Sequence, residues 1–501
     1  MNIRILIIGS RAAALAALLP LAACAVGPNY HRPPLWTTAS YGAEAISPSP
    51  TQASNTTEGP QLVSGMNIPD QWWQVFRSPD LDDLIAQALR NSPTIDAAKA
   101  ALRAAKEQVK AQRGAYYPTV SASIQPSRQS LAQTLSSPLE SGADIYDLTT
   151  TQVSISYTPD LFGANARTVE SLVAQADQQR YELAAAHVTL ASNVALAAVQ
   201  DALLRAQIAE TKAIILDQQQ ILSSFRRQNQ LGQTSNSDLA AQEALLAQAE
   251  ATLPPLEKQF RINRDLLSAL VGRSPGEPLD VSFDFQSLTL PVQLPLSLPA
   301  KLVEQRPDVR IAEEQLHAAS AQIGIAVAAR LPNLQIDASV GSAALSLAPS
   351  LSSASTFWSV AATLTQPVFD AGTLLHRQRA AEAIYDQAAA LYRGTIVGAF
   401  QNTADVLHAL WTDAEGLRDA EAAEAAARKS LNISQQQLIL GDLSPLAILS
   451  AEQTEDQARL ALLQARANRY SDVIALFQAL GGGWWNGDTS MAAAAPTAPK
   501  Q

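Results

Sequence analysis

A chain of 501 residues with 46 Asp and Glu against 35 Lys and Arg has a net charge of −11, which excludes a general nucleic-acid surface. Its one cysteine excludes an internal disulfide. Aromatic residues make up only 5% of the chain while Ala and Gln abound, a composition that suits long helices with thin contacts better than a thick globular core.

Met1 to Arg11 carries Arg4 and Arg11 without an acid, and the apolar run Ala12 to Ala22 ends in Leu21-Ala22-Ala23-Cys24. This is the pattern of a secretory signal over residues 1–23 with a lipoprotein cleavage box, whose cysteine accepts a diacylglyceryl group before the peptidase cuts. Cys24 is the expected lipid attachment point. Loss of the signal removes two arginines and no acid, so the charge moves from −11 to about −13. Read as a membrane span, Ala12 to Val26 falls short of the roughly 20 apolar residues a transmembrane helix needs, and nothing downstream qualifies as an apolar span. Residue 25 is Ala, whereas an Asp there would resemble an inner-membrane retention signal, so the outer membrane is expected. Residues 24–70, rich in Ser, Thr, Pro and Gly from Trp36 to Asn67, read as a lipid-anchored extended leader.

From residue 71 the chain repeats itself. Ser92-Pro93 opens a helical pattern to about Arg113, and Arg306-Pro307 opens another to about Arg330, an offset of 214. Tyr117-Pro118 and Leu331-Pro332 lead into alternating segments at the same offset. Pro159 to Gly163 answers Pro367 to Gly372, and Leu231-Gly232 answers Leu440-Gly441 at an offset of 209. Four landmarks in one order argue for a duplication, with a first structural repeat over 71–290, a second over 291–484 and a disordered tail over 485–501.

Each repeat holds two short strands. Val120, Ala122 and Ile124 alternate with Ser121, Ser123 and Gln125, and Val153, Ile155 and Tyr157 with Ser154, Ser156 and Thr158. In the second repeat Leu334, Ile336, Ala338 and Val340 alternate with Gln335, Asp337 and Ser339, and Trp358, Val360, Ala362 and Leu364 with Ser359, Ala361, Thr363 and Thr365. A half-buried strand of a soluble sandwich alternates too. The set of four points instead to a membrane barrel, with Tyr116, Tyr117, Tyr157, Phe357 and Trp358 suited to interfacial girdles. Four strands cannot close a barrel and an open edge cannot sit in lipid, so the barrel is expected to be shared between subunits.

Ala164 to Leu231 has no Gly or Pro over 68 residues, and Thr373 to Leu440 has no Pro over 68. At 1.5 Å per residue each helix could extend roughly 100 Å. Leu183, Leu190, Ala197 and Leu204 fall seven apart, with Val194, Ile208, Ile215 and Leu222 in a second series that His187 and Asp201 interrupt. Leu231-Gly232 followed by Ser235, and Leu440-Gly441 followed by Ser444-Pro445, read as hairpin tips with returning helices over Ala240 to Leu253 and Leu446 to Leu480. The fold class is therefore mainly α, with antiparallel helical hairpins and a small transmembrane β part of four strands per subunit.

Enzyme signatures are missing. His31, His187, His317, His376 and His408 show no metal-ligand spacing, and no nucleophile elbow, phosphate loop or HExxH motif occurs. Glu313-Glu314 are neighbours on a helix and point apart. Gly481-Gly482-Gly483 follows a helix and opens none, so it reads as a helix stop rather than a phosphate cradle.

Three stretches resemble one family. Cys24-Ala25-Val26-Gly27-Pro28-Asn29-Tyr30 with Arg32-Pro33, then Trp72-Trp73, Phe76, Leu81, Leu84-Ile85, Ala88-Leu89 and Asn91, and finally Ala479-Leu480-Gly481-Gly482-Gly483-Trp484 are similar to the NodT-type lipoprotein branch of the TolC-like outer-membrane efflux proteins. The likeness runs from roughly Cys24 to Trp484. It implies a homotrimer whose strands join into one barrel in outer-membrane lipid and whose helices form a periplasmic tunnel. It also implies a periplasmic membrane-fusion adaptor protein and an inner-membrane pump as partners, passive conduction of drugs or other small molecules, and no cofactor. Leu231, Gly232, Ser235, Leu440, Gly441 and Ser444 match adaptor-contacting tips, and Asp238, Ala447 and Ser450 match gate positions. Asp238 equally suits a helix N-terminus, where a carboxylate gains roughly 0.3–1 kcal/mol. Two of the three gate positions lack an acid, which implies weaker cation block than in acid-ringed relatives. A duct for protein export and a non-conducting lipid-anchored periplasmic coiled-coil scaffold are the alternatives.

Overall fold

The computed structural model describes residues 25–33, 61–130, 132, 144–277, 279–296, 304–345, 353–440 and 445–487. The expected signal and Cys24, most of the leader, the tip residues Gly441 and Ser444, the side chain of Ala447 and the chain beyond residue 487 lie outside them. The protein is mostly helical and divides into two compact units: the first holds residues up to Pro33, Leu102–Gln179 and Ala312–Tyr392, and the second holds the rest.

In chain order the elements are β1 (Gln61–Ser64), a 3-10 turn (Trp72–Phe76), α1 (Pro79–Asn91), α2 (Pro93–Arg113), β2 (Thr119–Ser130), β3 (Ile145–Tyr157), α3 (Ala164–Gln230) and α4 (Asn236–Leu270). They continue with β4 (Gln293–Leu296), α5 (Pro307–Ala328), β5 (Asn333–Ala344), β6 (Thr356–Thr365), α6 (Thr373–Leu440) and α7 (Pro445–Ala479). Thus a helix, two strands, a very long helix and a returning helix occur twice in the same order.

The first unit carries an antiparallel sheet in the order β2-β3-β5-β6. Each strand pair leads into its long helix through the same junction. Asp160 accepts hydrogen bonds from the Asn165 and Ala166 amides at 3.1 and 2.8 Å, and Asp370 from the Gly372 and Leu374 amides at 2.9 and 2.8 Å. These carboxylates occupy the otherwise unpaired donors of a helix N-terminus. Gly163 and Gly372 supply the left-handed turn, at φ of 77° and 83°.

The second unit has its core where α1 and the 3-10 turn meet α3, α4 and α7. Trp72, Phe76, Leu84, Val194, Leu267 and Phe477 are buried together there, with Trp72 stacked on Phe477 at 5.2 Å. Alanines at 191, 195, 198 and 202 of α3 are buried in the same core, and their small side chains let helices approach closely. Composition alone makes part of α3 apolar enough to cross a membrane, contrary to expectation, but 61% of that stretch is buried inside the chain, which marks it as core. Further along α3, Thr211, Gln218 and Phe225 are buried seven apart in a heptad series, with Ile214 and Leu222 buried between them. Its one amide layer is closed by Gln242 of α4, which donates to Gln218 Oε1 at 2.6 Å.

Two further expectations need correction. The returning helix does not stop at Leu253: α4 runs through Pro254 and Pro255 to Leu270. Each proline removes one ladder hydrogen bond. Both rings lie on the exposed side, and beyond them Asn263 donates to the Ala197 carbonyl at 2.9 Å while Leu267 is fully buried, so packing carries the helix onward. Nor does order end at 484. Asn486 donates to the Ile68 carbonyl at 2.7 Å and Trp485 packs on the core.

Candidate functional site

Residues opposite one another in a sheet share a face. Val120, Ile155, Ala338 and Val360 form one row across all four strands, and Ala122, Val153, Val340 and Trp358 form the next. That face is apolar and exposed. The opposite face carries a row of four serines, in which Ser121 and Ser154 hydroxyls are 2.8 Å apart and those of Ser339 and Ser359 also 2.8 Å. Phe357 belongs to this polar face, across from Gly341, and Trp358 to the apolar face, across from Val340. Gly341 has no room for a Cβ, which would lie 2.5 Å from the Thr151 carbonyl oxygen and 2.9 Å from the Phe357 ring. β2 and β6 are the edges of the sheet, and their outer hydrogen-bonding groups have no strand beside them among the described residues.

Beside the sheet, in the same unit, residues 25–33 form a strap on α3 and α5. Arg167 is 4% exposed and donates to the Val26 carbonyl at 3.1 Å, the Gly27 carbonyl at 3.3 Å, Asn29 Oδ1 at 2.8 Å and Glu170 Oε2 at 2.7 Å. Tyr30 stacks on His317 at 4.3 Å, and Arg32 pairs with Glu313 at 3.0 Å. Burial opposes charge on His317, but its bonds to Glu170 and Glu314 outweigh it and lift the pKa to about 9, so the ring stays cationic at neutral pH. Gly27 lies against Gly324, where a Cβ would come within 2.5 Å of backbone. The Val26 amide donates to the Phe162 carbonyl at 3.1 Å, which puts the second residue after Cys24 next to the junction between β3 and α3.

In the second unit the first hairpin tip is built as its sequence requires. α3 ends in a Schellman motif: the Gln233 amide donates to the Gln228 carbonyl and the Gly232 amide to Asn229, both at 2.9 Å. Leu231 stands out at 67% exposure, and Ser235 caps α4, accepting from the Asp238 amide at 3.1 Å. Its hydroxyl donates back to Asp238 Oδ2 at 2.8 Å, so this carboxylate is engaged in the cap. Gly232 sits at φ 73° with open space around it, so Gly232→Ala should cost about 1–2 kcal/mol from backbone strain alone. Hydrogen exchange of residues 228–239 checks this: Gly232→Asn should recover part of the lost protection, and equal protection in all three would contradict the strain.

Leu440 ends α6 at 75% exposure. Near the tips the two hairpins are joined by a cluster of Phe225, Ile448 and Leu449, with Leu239, Leu245 and Leu431 around it. Asp238 and Ser450 each adjoin a member of that cluster, so the fold brings these two gate candidates into one region. One turn further into α7, Glu452 and Asp456 lie four residues apart and face Asp217 of α3. Burial first, and then like charges, raise both. Asp456 and Asp217 act on Glu452, which rises to about 7, and Glu455, Glu210 and Asp217 act on Asp456, which rises to about 6 against the opposing Arg459. The neighbouring cation, Arg459, is bonded to Glu210 and Glu455.

Both raised values mean that the folded state holds protons the unfolded state has lost. Packing of α7 on α3 is therefore firmest below the ordinary carboxylate range and weakens as pH rises through about 6 to 7. Exchange protection of α7 amides around Glu452 should fall roughly tenfold between pH 5 and pH 8. The double variant Glu452→Gln, Asp456→Asn should remove that dependence; an unchanged pH profile in the variant would reject the assignment.

Arg167, Glu170 and His317, and the Gln218–Gln242 layer, were not among the sequence-derived candidates. The signal for the last was a glutamine at a heptad core position; the clamp offered none, because Glu170 and His317 lie 147 positions apart. A sheet with one lipid-compatible and one hydroxyl-rich face, continued by two hairpins of very long helices, defines a membrane channel subunit. The chain belongs to the outer membrane efflux protein family, which it matches over residues 84–273 and 298–482.

It is similar to the pyoverdine export outer membrane protein OpmQ of Pseudomonas putida, at 30% identity over 447 residues covering 85% of this chain and 91% of that protein. It is also similar to the toluene efflux pump outer membrane protein TtgF of Pseudomonas putida, at 28% identity over 479 residues covering 94% and 96%. Its fold matches the open state of the Neisseria gonorrhoeae MtrE outer membrane channel with a TM-score of 0.80 at 23% identity, covering 92% of this chain and 99% of that one. The protein is an outer-membrane efflux channel component and not an enzyme.

Proposed function

We propose that three copies of this chain close a twelve-stranded barrel in the outer membrane and conduct small organic molecules from a periplasmic helical tunnel to the exterior. The observation that carries this is the sheet with two open edges. β2 and β6 run antiparallel within the sheet order, so β6 of one copy can pair with β2 of the next and continue the alternation. In lipid the bare edge groups each cost several kcal/mol, which drives closure. The substrate class follows the relatives named for pyoverdine export and toluene efflux.

In this reading the two halves arose by duplication, as the twice-repeated element order and the paired Asp-and-Gly junctions support. A periplasmic adaptor meets the tips around Leu231, Gly232, Ser235, Leu440, Gly441 and Ser444, Asp238, Ala447 and Ser450 line the gate, and an inner-membrane pump supplies the energy. Lipid on Cys24 tethers the strap at the base of the barrel. The test is mass measurement of the detergent-purified chain, joined to dye and antibiotic accumulation in a deletion strain complemented with wild type or Cys24→Ala. Trimers and restored efflux are expected with wild type, and reduced trimer yield with Cys24→Ala. A monomeric conducting particle, or unchanged accumulation across many compounds, would sink the proposal.

A further inference from the structure

We infer that the second unit carries a binding site for a pyranose ring, in a cavity of about 570 Å3 walled by Trp72, Trp73 and Trp484. The size falls within the range of small-molecule sites. Three buried polar atoms of its lining residues have no hydrogen-bond partner among the described residues: Trp72 Nε1, Asp82 Oδ1 and His187 Nε2. Protein interiors rarely leave such atoms bare, and each bare atom calls for an unseen partner. Nearby, the Trp484 indole N–H is satisfied, donating to the Gln305 carbonyl at 2.7 Å. Trp72 cannot turn away to find water, because it is fully buried and stacked on Phe477.

The missing partner must accept from an indole N–H and donate to a carboxylate. Burial, with Lys99 adding to it, lowers the His187 pKa, so the ring is neutral and can take either role. Hydroxyl groups do both, and a pyranose adds C–H faces that suit the partly exposed Trp484 ring, Trp72 and Trp73 being buried behind the wall. Charge points the same way. Asp70 and Asp82 oppose Arg90 on the lining, so neither a strong anion nor a strong cation is favoured.

The wall is also built with unusual closeness. Gly481, Gly482 and Gly483 all have positive φ, and a Cβ on Gly482 would lie 2.7 Å from Val188 and one on Gly483 2.2 Å from the Pro69 carbonyl oxygen. The tri-glycine thus does more than stop α7. It lets the chain close over the cavity.

The full chain, purified in detergent, is titrated with N-acetylglucosamine trimer and with maltotriose, reading tryptophan fluorescence and calorimetric heat, and is sedimented with murein sacculi. Saturable binding of at least one trisaccharide, in the millimolar range or tighter, is expected. Trp72→Phe keeps an aromatic ring but removes the N–H, and Asp82→Asn removes the charge; each should weaken binding about fivefold or more, with the melting temperature unchanged in Asp82→Asn and lowered in Trp72→Phe. Sacculus retention lost in parallel with trisaccharide affinity assigns the site to a glycan strand, and trisaccharide binding without retention assigns it to free saccharide. No saturation with either sugar, or affinity unmoved by both variants, overturns the site and leaves the cavity to ordered water. If Trp72→Phe unfolds the core, Asp82→Asn decides alone.

Discussion

Val360→Arg will keep the chain from assembling in the outer membrane. Val360 is 68% exposed on the apolar face of β6, in register with Ala338, Ile155 and Val120 across the sheet. An arginine facing lipid near the bilayer midplane costs about 2–4 kcal/mol, and in the proposed trimer that cost recurs in every copy. The control is Ala361→Arg, one residue on and on the polar face level with Asp337, which should assemble but alter conductance. The measurement is the yield of heat-modifiable trimer in outer-membrane fractions. Equal yields for the two arginine variants would mean that the faces are assigned wrongly.

Arg167→Lys will be nearly as damaging to the strap as Arg167→Ala, with a loss of about 3 kcal/mol. The guanidinium serves two backbone carbonyls, Asn29 and Glu170 at once, through a planar fork that an ammonium cannot copy. Removing it strips donors from the partly buried Val26 and Gly27 carbonyls and leaves Glu170 to His317. Limited proteolysis at residues 25–33 and the melting temperature check this. A lysine variant that melts like wild type would show that the pocket needs only a positive charge.

How much was legible varied with the range of the interaction. The period-two pattern of β6 was enough to put Trp358 and Val360 on one face, because alternation is a property of a single strand. The tip at Gly232 was legible for the same reason: a glycine after a helix and a serine before the next are local demands of backbone hydrogen bonding. The same alternation in β6 puts Phe357, next to Trp358, on the opposite face, and only the register with β5 shows that it covers Gly341 there. The returning helix was expected to end at Leu253, yet it continues through Pro254-Pro255 because Asn263 and Leu267 make their contacts beyond the prolines. Glu452 and Asp456 are visibly four apart, but the third carboxylate, Asp217, comes from a different helix.

By itself the sequence determined the elements and their order: helix, strand pair, long helix and returning helix, twice, with glycines and capping residues at the turns. These follow from periodicity and from caps, which act within a few residues. Only the tertiary structure decided which side chains meet: the Arg167 clamp on the strap, the Gln218–Gln242 layer, the acidic cluster at Glu452 and the cavity beside Trp72. Their partners lie on separate elements. Desolvation and hydrogen-bond geometry, the forces that set their strength, exist only once those elements have packed.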